Sequence, residues 1–328
     1  MGRRSPPRLS PGVPARWCVT ASLALVTLVT LLASSGAQAA DAAAHADTRD
    51  SPDPAESIRS LVVATASLGS PARVVVHLPP SYATSGARRF PVLYFLHDGQ
   101  GDERVLVRRG VAARLQAEMR AGRLPEFLIV SPRGVGSWFV DSYDGKSRYE
   151  QFLTHDLVPF VDRTFRTRPE RRARLAAGIS MGGYGALHWG LLRPELFVAV
   201  GGLSPAIQQL DFRGVQALPF FIRPSLTRVF GRTARENHLR RNDLYDILLS
   251  NPDLARHAPE LLVRCGSEDK YRLGEISGFF RKFMDAAGVG NEVVVEPGGH
   301  DWRYWKRALP VLIGDLARRL PAEGEGTR

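Results

Sequence analysis

Two cysteines in 328 residues, Cys18 and Cys265, cannot build a disulfide scaffold or a cysteine-rich zinc module. His-Glu-x-x-His, Cys-x-x-Cys and EF-hand patterns are missing, as are a phosphate loop and a dinucleotide fingerprint. No metal and no cofactor is therefore expected. The most apolar run, Cys18–Ala33, is shorter than the ~20 residues that cross a bilayer. Acidic residues are absent from the first forty positions, which hold Arg3, Arg4, Arg8 and Arg16. Without those four the formal charge of +11 falls to +7, from 40 basic against 33 acidic residues. The remaining cations are dispersed as pairs such as Arg171–Arg172 and Arg318–Arg319, which reads as solvated faces. There is no clustered basic stripe and no nucleic-acid module, so a nucleic-acid partner is not expected. The residual charge is compatible with weak association with an anionic cell envelope.

What is present is ordinary globular material, 44% hydrophobic and 23% charged, enough for one sizeable core. Residues 1–40 read as a secretory signal peptide: a positive stretch from Arg3 to Arg16, the apolar run, then Ala37-Gln38-Ala39 as a small-x-small cleavage site. The protein is thus expected to be secreted or extracytoplasmic. Cleavage would remove Cys18 and leave Cys265 as a lone thiol, expected to be a small buried residue at a strand end. Residues 41–57 read as a flexible linker, 58–320 as the folded domain and 321–328 as a tail.

In the folded region short β-rich runs alternate with longer helical patterns. Strands are expected around Leu61–Ala66, Val74–Leu78, Val92–His97, Phe127–Ser131, Leu175–Ile179, Phe197–Leu203, Glu260–Cys265 and Glu292–Glu296. Helices are expected over Glu103–Ala121, Arg148–Thr164, Ser180–Arg193, Glu275–Ala287 and Trp302–Leu320. That alternation predicts an α/β fold, a mostly parallel sheet with helices on both faces and the first two strands as an antiparallel edge hairpin. Residues 204–259 break the rhythm and read as an insertion over the strand carboxyl ends, before the strand that leads to the acid residue. Within it Phe220, Phe221 and Ile222 either line an apolar acyl pocket or pin the insertion to the core.

The chemical signal is Gly178-Ile179-Ser180-Met181-Gly182. It lies between a strand and a helical run, the context of a nucleophile elbow. Glycines 178 and 182 remove side chains that would clash at so sharp a turn. A serine hydroxyl needs a base. His300 lies in Pro-Gly-Gly-His, straight after the last strand, and is the best of eight histidines. Its carboxylate partner is sought between 180 and 300: Asp269, after the strand Glu260–Cys265, with Glu268 second. Asp301 is assigned to capping the final helix. An oxyanion hole needs two backbone N–H groups. Met181 supplies one; the loop His97-Asp98-Gly99-Gln100-Gly101 supplies the other, from Gly99 or Gln100, with His97 and Asp98 as its supports. Activity is expected to rise with pH as the imidazole loses its proton.

These stretches resemble the esterase D-like family of α/β-hydrolases, which includes feruloyl and acetyl-xylan esterases and the antigen 85 mycolyltransferases. The resemblance is carried by FPVLYFLHDGQGDE (90–103), LPEFLIVSPRG (124–134), YEQFLTHDLVPFVDRTFRT (149–167), AAGISMGGYGALHWGLLRPELF (176–197) and PGGHDWRYWKRAL (297–309). It implies an α/β-hydrolase fold and carries a triad onto Ser180, Asp269 and His300. It also implies that Trp302 and Trp305 pack at the start of the last helix. Relatives have His-Gly where this chain has His97-Asp98-Gly99. Gly182 and Asp269 are similar to the ordinary esterases rather than to the antigen 85 branch, which has an alanine after the elbow methionine and a glutamate acid. The expected activity is that of an exported serine carboxylesterase acting on a small-molecule or carbohydrate-linked ester. The alternatives are a mycolyl- or other acyltransferase acting on cell-envelope sugars, and a non-catalytic envelope-binding protein on a hydrolase scaffold.

Overall fold

The computed structural model describes residues 57–207, 223–231 and 236–321. The expected signal peptide, nearly all of the linker, the tail beyond 321 and the Phe220–Ile222 segment lie outside the described residues. One eight-stranded sheet organises the rest, in the order β1-β2-β4-β3-β5-β6-β7-β8. Its strands are β1 (Ile58–Val63), β2 (Ala72–His77), β3 (Val92–Leu96), β4 (Leu128–Pro132), β5 (Arg174–Ile179), β6 (Ala199–Leu203), β7 (Glu260–Gly266) and β8 (Asn291–Glu296). β2 runs antiparallel to both neighbours, β1 and β4. Every other pairing is parallel. The antiparallel edge hairpin and the parallel centre are as the alternating pattern predicts.

The central strands are apolar throughout because both faces are covered. Along β3, Val92, Tyr94 and Leu96 enter one core, while Leu93 and Phe95 enter the other. The first core is closed by α5 (Met181–Leu192) with Trp189 and Tyr184 fully buried; the second is closed by Leu309, Leu312 and Leu316 of the carboxyl-terminal helix. In α5 every residue from Met181 to Leu191 is buried. A helix enclosed on all sides has no polar face, which is why its sequence shows no amphipathic stripe.

Two helical expectations need correction. The run Glu103–Ala121 is not one helix but two, α1 (Val105–Arg108) and α2 (Val111–Arg120), separated at Gly110, whose φ of 73° lies in the left-handed region. A helix-compatible glycine is also free to leave the helix, and here it does. The run Arg148–Thr164 is interrupted as well. Between α3 (Tyr149–Gln151) and α4 (Val158–Thr164), residues Phe152–Leu157 form a wider π-type turn just ahead of Pro159. Proline lacks the N–H that an α-helical carbonyl four residues earlier would need.

The described part of 204–259 is helical: α6 (Arg223–Phe230), α7 (Glu236–Asn242), α8 (Leu244–Ser250) and α9 (Leu254–His257). Leu226, Val229, Phe230, Leu244 and Leu248 bury their side chains in the first core. Helices α10 (Leu273–Ala286) and α11 (Trp302–Ala317) follow β7 and β8. Cys265, on β7, is fully buried, and burial followed by the charge of Asp269 pushes its thiol up to about 12. A thiol so held carries no nucleophile, in line with its reading as a packing residue. Among the described residues no helix is long and apolar enough to cross a membrane.

Candidate active site

Ser180 joins the end of β5 to the start of α5 with φ 52° and ψ −111°, a backbone conformation that costs a non-glycine residue about 1–3 kcal/mol. It persists because its neighbours over-determine it. Ser180 N donates to Leu203 O at 2.9 Å, and Ser180 O accepts from Tyr184 N and Ala206 N, each at 3.0 Å. The two glycines are required by close approach. A Cβ on Gly178 would lie 2.1 Å from the Gly182 carbonyl oxygen, and a Cβ on Gly182 would lie 2.1 Å from Leu96 O. The turn therefore thrusts the Ser180 side chain into the open above the strand ends.

Two loops at the carboxyl ends of β7 and β8 bring the partners in. They are stitched together by Ser267 N donating to Glu296 O at 2.8 Å and Glu268 N to Gly298 O at 2.9 Å. Gly266 permits this nesting, since a Cβ there would sit 2.0 Å from Gly298 O. Asp269 Oδ1 accepts the Tyr271 amide at 2.9 Å, which aims the other oxygen at the imidazole. The resulting chain is Asp269 Oδ2 to His300 Nδ1 at 2.7 Å and His300 Nε2 to Ser180 Oγ at 2.9 Å. The Asp269 side chain is 0% exposed and that of His300 9%. With a proton on Nδ1 shared toward the carboxylate, Nε2 is left as the acceptor of the serine proton. Two aromatic edges fix the ring: Tyr271 and Trp305 each stand 4.9 Å from it, nearly perpendicular.

Glu268 is exposed and forms no part of this chain. Asp301 Oδ1 accepts the amides of Arg303 and Tyr304 at 2.8 and 3.1 Å, capping α11 as expected. Trp302 and Trp305 pack edge to face at 5.5 Å, and Trp305 Nε1 donates to Ser204 Oγ at 3.1 Å.

The β3–α1 loop faces Ser180 from the other side. His97 is its prop: Nδ1 donates to Asp98 O at 2.7 Å, while Nε2 accepts the Gly134 amide at 2.9 Å. Burial lowers the His97 pKa, outweighing the bond to Asp98 that acts in the opposite direction, so the ring stays neutral and can accept at Nε2. The two oxyanion candidates in this loop differ. Gln100 N already donates to Asp98 Oδ1 at 3.0 Å, and Gly101 N to Asp98 O at 3.0 Å. Gly99 N has no such bond. Met181 N, the other candidate, lies at the amino end of α5, where backbone N–H groups lack helical partners.

Ser180, Met181, His300, Gly99 and Gln100 all line one cavity of about 420 Å³. Its walls also hold residues that sequence reasoning did not assign to the site: Trp138, Ser225, Arg109, Lys270 and Tyr271. Tyr271 had a signal, lying two positions after the candidate acid. Trp138 had none, because residues 134–140 follow no periodic pattern. Trp138 and Phe139 both adopt left-handed φ, 56° and 61°, and Trp138 packs on Tyr184 and Phe230. Among the described residues no cluster of His, Cys, Asp and Glu is suited to hold a metal ion.

Residues 65–316 match the protein family described as "Putative esterase". The chain belongs to this esterase family. It is 28% identical over 289 residues to the esterase Rv1288 of Mycobacterium tuberculosis, an alignment that takes in 79% of this chain and 58% of that protein. The chain thus spans little more than half the length of that relative. It is 26% identical over 195 residues to an acetyl esterase of Caldicellulosiruptor saccharolyticus, covering 54% of this chain and 67% of the relative. Among solved structures a ferulic acid esterase superimposes with a TM-score of 0.68 at 25% identity, over 80% of this chain and 98% of that one.

Proposed function

We propose that this member of the esterase family is an exported serine carboxylesterase whose nucleophile is Ser180. The observation that carries the reading is the continuous hydrogen-bonded chain from Ser180 Oγ through His300 to Asp269, at 2.9 and 2.7 Å, opening on a cavity. Ser180 Oγ attacks the ester carbonyl carbon while its proton passes to His300 Nε2. The Asp269 carboxylate holds the Nδ1–H tautomer and stabilises the imidazolium. The carbonyl π electrons move to oxygen, and that oxyanion takes hydrogen bonds from Met181 N–H and from an amide of the Gly99–Gln100 turn. Gly99 N–H is available as the loop stands; Gln100 N–H would first have to leave Asp98. Collapse of the intermediate expels the alcohol, which takes the proton back from Nε2. Water then repeats the sequence on the acyl-enzyme and releases the acid.

Export rests on the pattern of residues 1–40, and processing after Ala39 would give a mature chain starting at Ala40. Purified protein beside Ser180→Ala, screened against p-nitrophenyl esters of graded chain length and feruloyl esters, tests the activity. Turnover and covalent labelling by a fluorophosphonate are expected for the wild type alone. Equal turnover by both proteins, or a correctly folded wild type that the probe leaves unlabelled, would remove Ser180 from the mechanism. Adding trehalose to the same assay reports acyl transfer, the outcome that would move the reading from hydrolase to acyltransferase.

A further inference from the structure

Ser204, the first residue past β6, is fully buried and has φ 43°, in the left-handed region. Glycine takes that conformation freely, whereas a residue with a β-carbon is strained there. What serine adds is a hydroxyl, and the hydroxyl accepts the Trp305 indole N–H at 3.1 Å. Trp305 in turn stands edge-on to the His300 ring at 4.9 Å. The backbone around Ser204 is locked to the nucleophile and to the strand that leads to the acid. Ser204 N donates to Arg264 O of β7 at 2.7 Å. On either side of it, Leu203 O accepts from Ser180 N at 2.9 Å and Ala206 N donates to Ser180 O at 3.0 Å. One buried side chain thus joins the backbone that holds Ser180 to the ring that steadies the base.

An indole N–H is a donor only, and when buried it needs an acceptor. Trp305 is 5% exposed, so without the Ser204 hydroxyl its N–H loses its partner unless the ring turns or shifts. Either movement displaces the edge that faces His300. That edge matters most when the serine cannot help. In the acyl-enzyme Ser180 Oγ carries the acyl group and no longer donates to Nε2, so the imidazole is left with Asp269 and the edges of Tyr271 and Trp305. We propose that Ser204 is a positioning residue for the hydrolysis: through Trp305 it holds the His300 imidazole at its working distance from Ser180. The inference deepens the reading of Ser180 and His300 above and rests on it. The backbone strain at Ser204 follows from placing a hydroxyl where glycine would fit better.

Ser204→Gly removes the hydroxyl while easing the backbone. On p-nitrophenyl butyrate its kcat should fall about 10-fold, with KM within about twofold of wild type and fluorophosphonate labelling slowed in parallel. Trp305→Phe removes the indole N–H from the other end of the bond and should by itself lower kcat at least as much. In that background Ser204→Gly should lower kcat by no more than about twofold, because the two changes break one interaction. Urea denaturation shows whether each variant is folded; if Ser204→Gly is not, Ser204→Ala carries the same comparison. A kcat within about twofold of wild type in either folded single variant overturns the proposal, as does a fall from Ser204→Gly as large in the Trp305→Phe background as in the wild type. Ser180-dependent turnover by the wild type would leave the esterase reading intact in those cases. Its absence overturns both.

Discussion

Ser180 sits at φ 52° because three backbone hydrogen bonds and two glycines leave it no alternative, and His300 is aimed by what touches it rather than by its own loop. The carboxylate on Nδ1 is then the group that decides the tautomer. Asp269→Asn keeps the shape but offers an amide in place of an acceptor pair, and kcat should fall about 10³–10⁴-fold, with KM little changed and fluorophosphonate labelling slowed in parallel. Steady-state kinetics on a p-nitrophenyl ester checks this; a loss under tenfold would reassign the acid. The three positions were legible in the sequence because each stands just beyond the end of a β-strand that the apolar pattern reveals. The residues that shape the cavity were not. Trp138 reaches it through two consecutive left-handed residues, and Lys270 and Arg109 through ring contacts that no spacing rule encodes.

At the scale of elements, the site is a set of loops held to one another. The β3–α1 loop is tied to the segment after β4 by the Glu103–Arg133 ion pair at 3.5 Å and, nearer the oxyanion turn, by the His97 ring, which bonds Asp98 O and the Gly134 amide and lies 5.2 Å from Phe139, edge to face. His97 lies outside the cavity lining. His97→Phe fills the space and removes both bonds, so kcat should drop by up to about 10²-fold through misplacement of the loop, with KM changed far less. An unchanged kcat would show that the loop is held without it. The elbow is less forgiving. In Gly182→Ala the new methyl meets the carbonyls of Leu96 and His97, so β3 or α5 must shift. A stability loss of about 1–3 kcal/mol by urea denaturation is expected, together with loss of activity. Strand identity and order of elements were readable from runs such as VLYFL because a strand covered on both faces must be apolar throughout. The breaks at Gly110 and before Pro159 were harder to read, since either residue also occurs within or at the start of a helix.

At the scale of the whole molecule, three imidazoles, those of His77, His97 and His188, are buried with the apolar core, and this sets how the protein responds to acid. His77 on β2 and His188 on α5 are each 1% exposed, and burial lowers their pKa values to about 4 and about 3; Arg104 adds to the effect at His77. His97 is shifted the same way. In the unfolded chain a histidine protonates near its ordinary value of about 6.5. Between that value and about 4 the unfolded state therefore binds protons that the native state refuses. Stability is full above the ordinary imidazole range and drains away as pH falls toward the native values. Each such ring contributes about 1.4 kcal/mol per pH unit, so His77 and His188 together give a slope of about 2.7. The slope should already be visible between pH 6 and 5, above the range where most carboxylates titrate. Urea midpoints at pH 7, 6 and 5 measure it, and His188→Gln, whatever it does to the midpoint at pH 7, should remove about half of that slope. A variant whose midpoint falls with pH as steeply as the wild type would mean that carboxylate pairs, not buried imidazoles, govern the loss of the fold in acid.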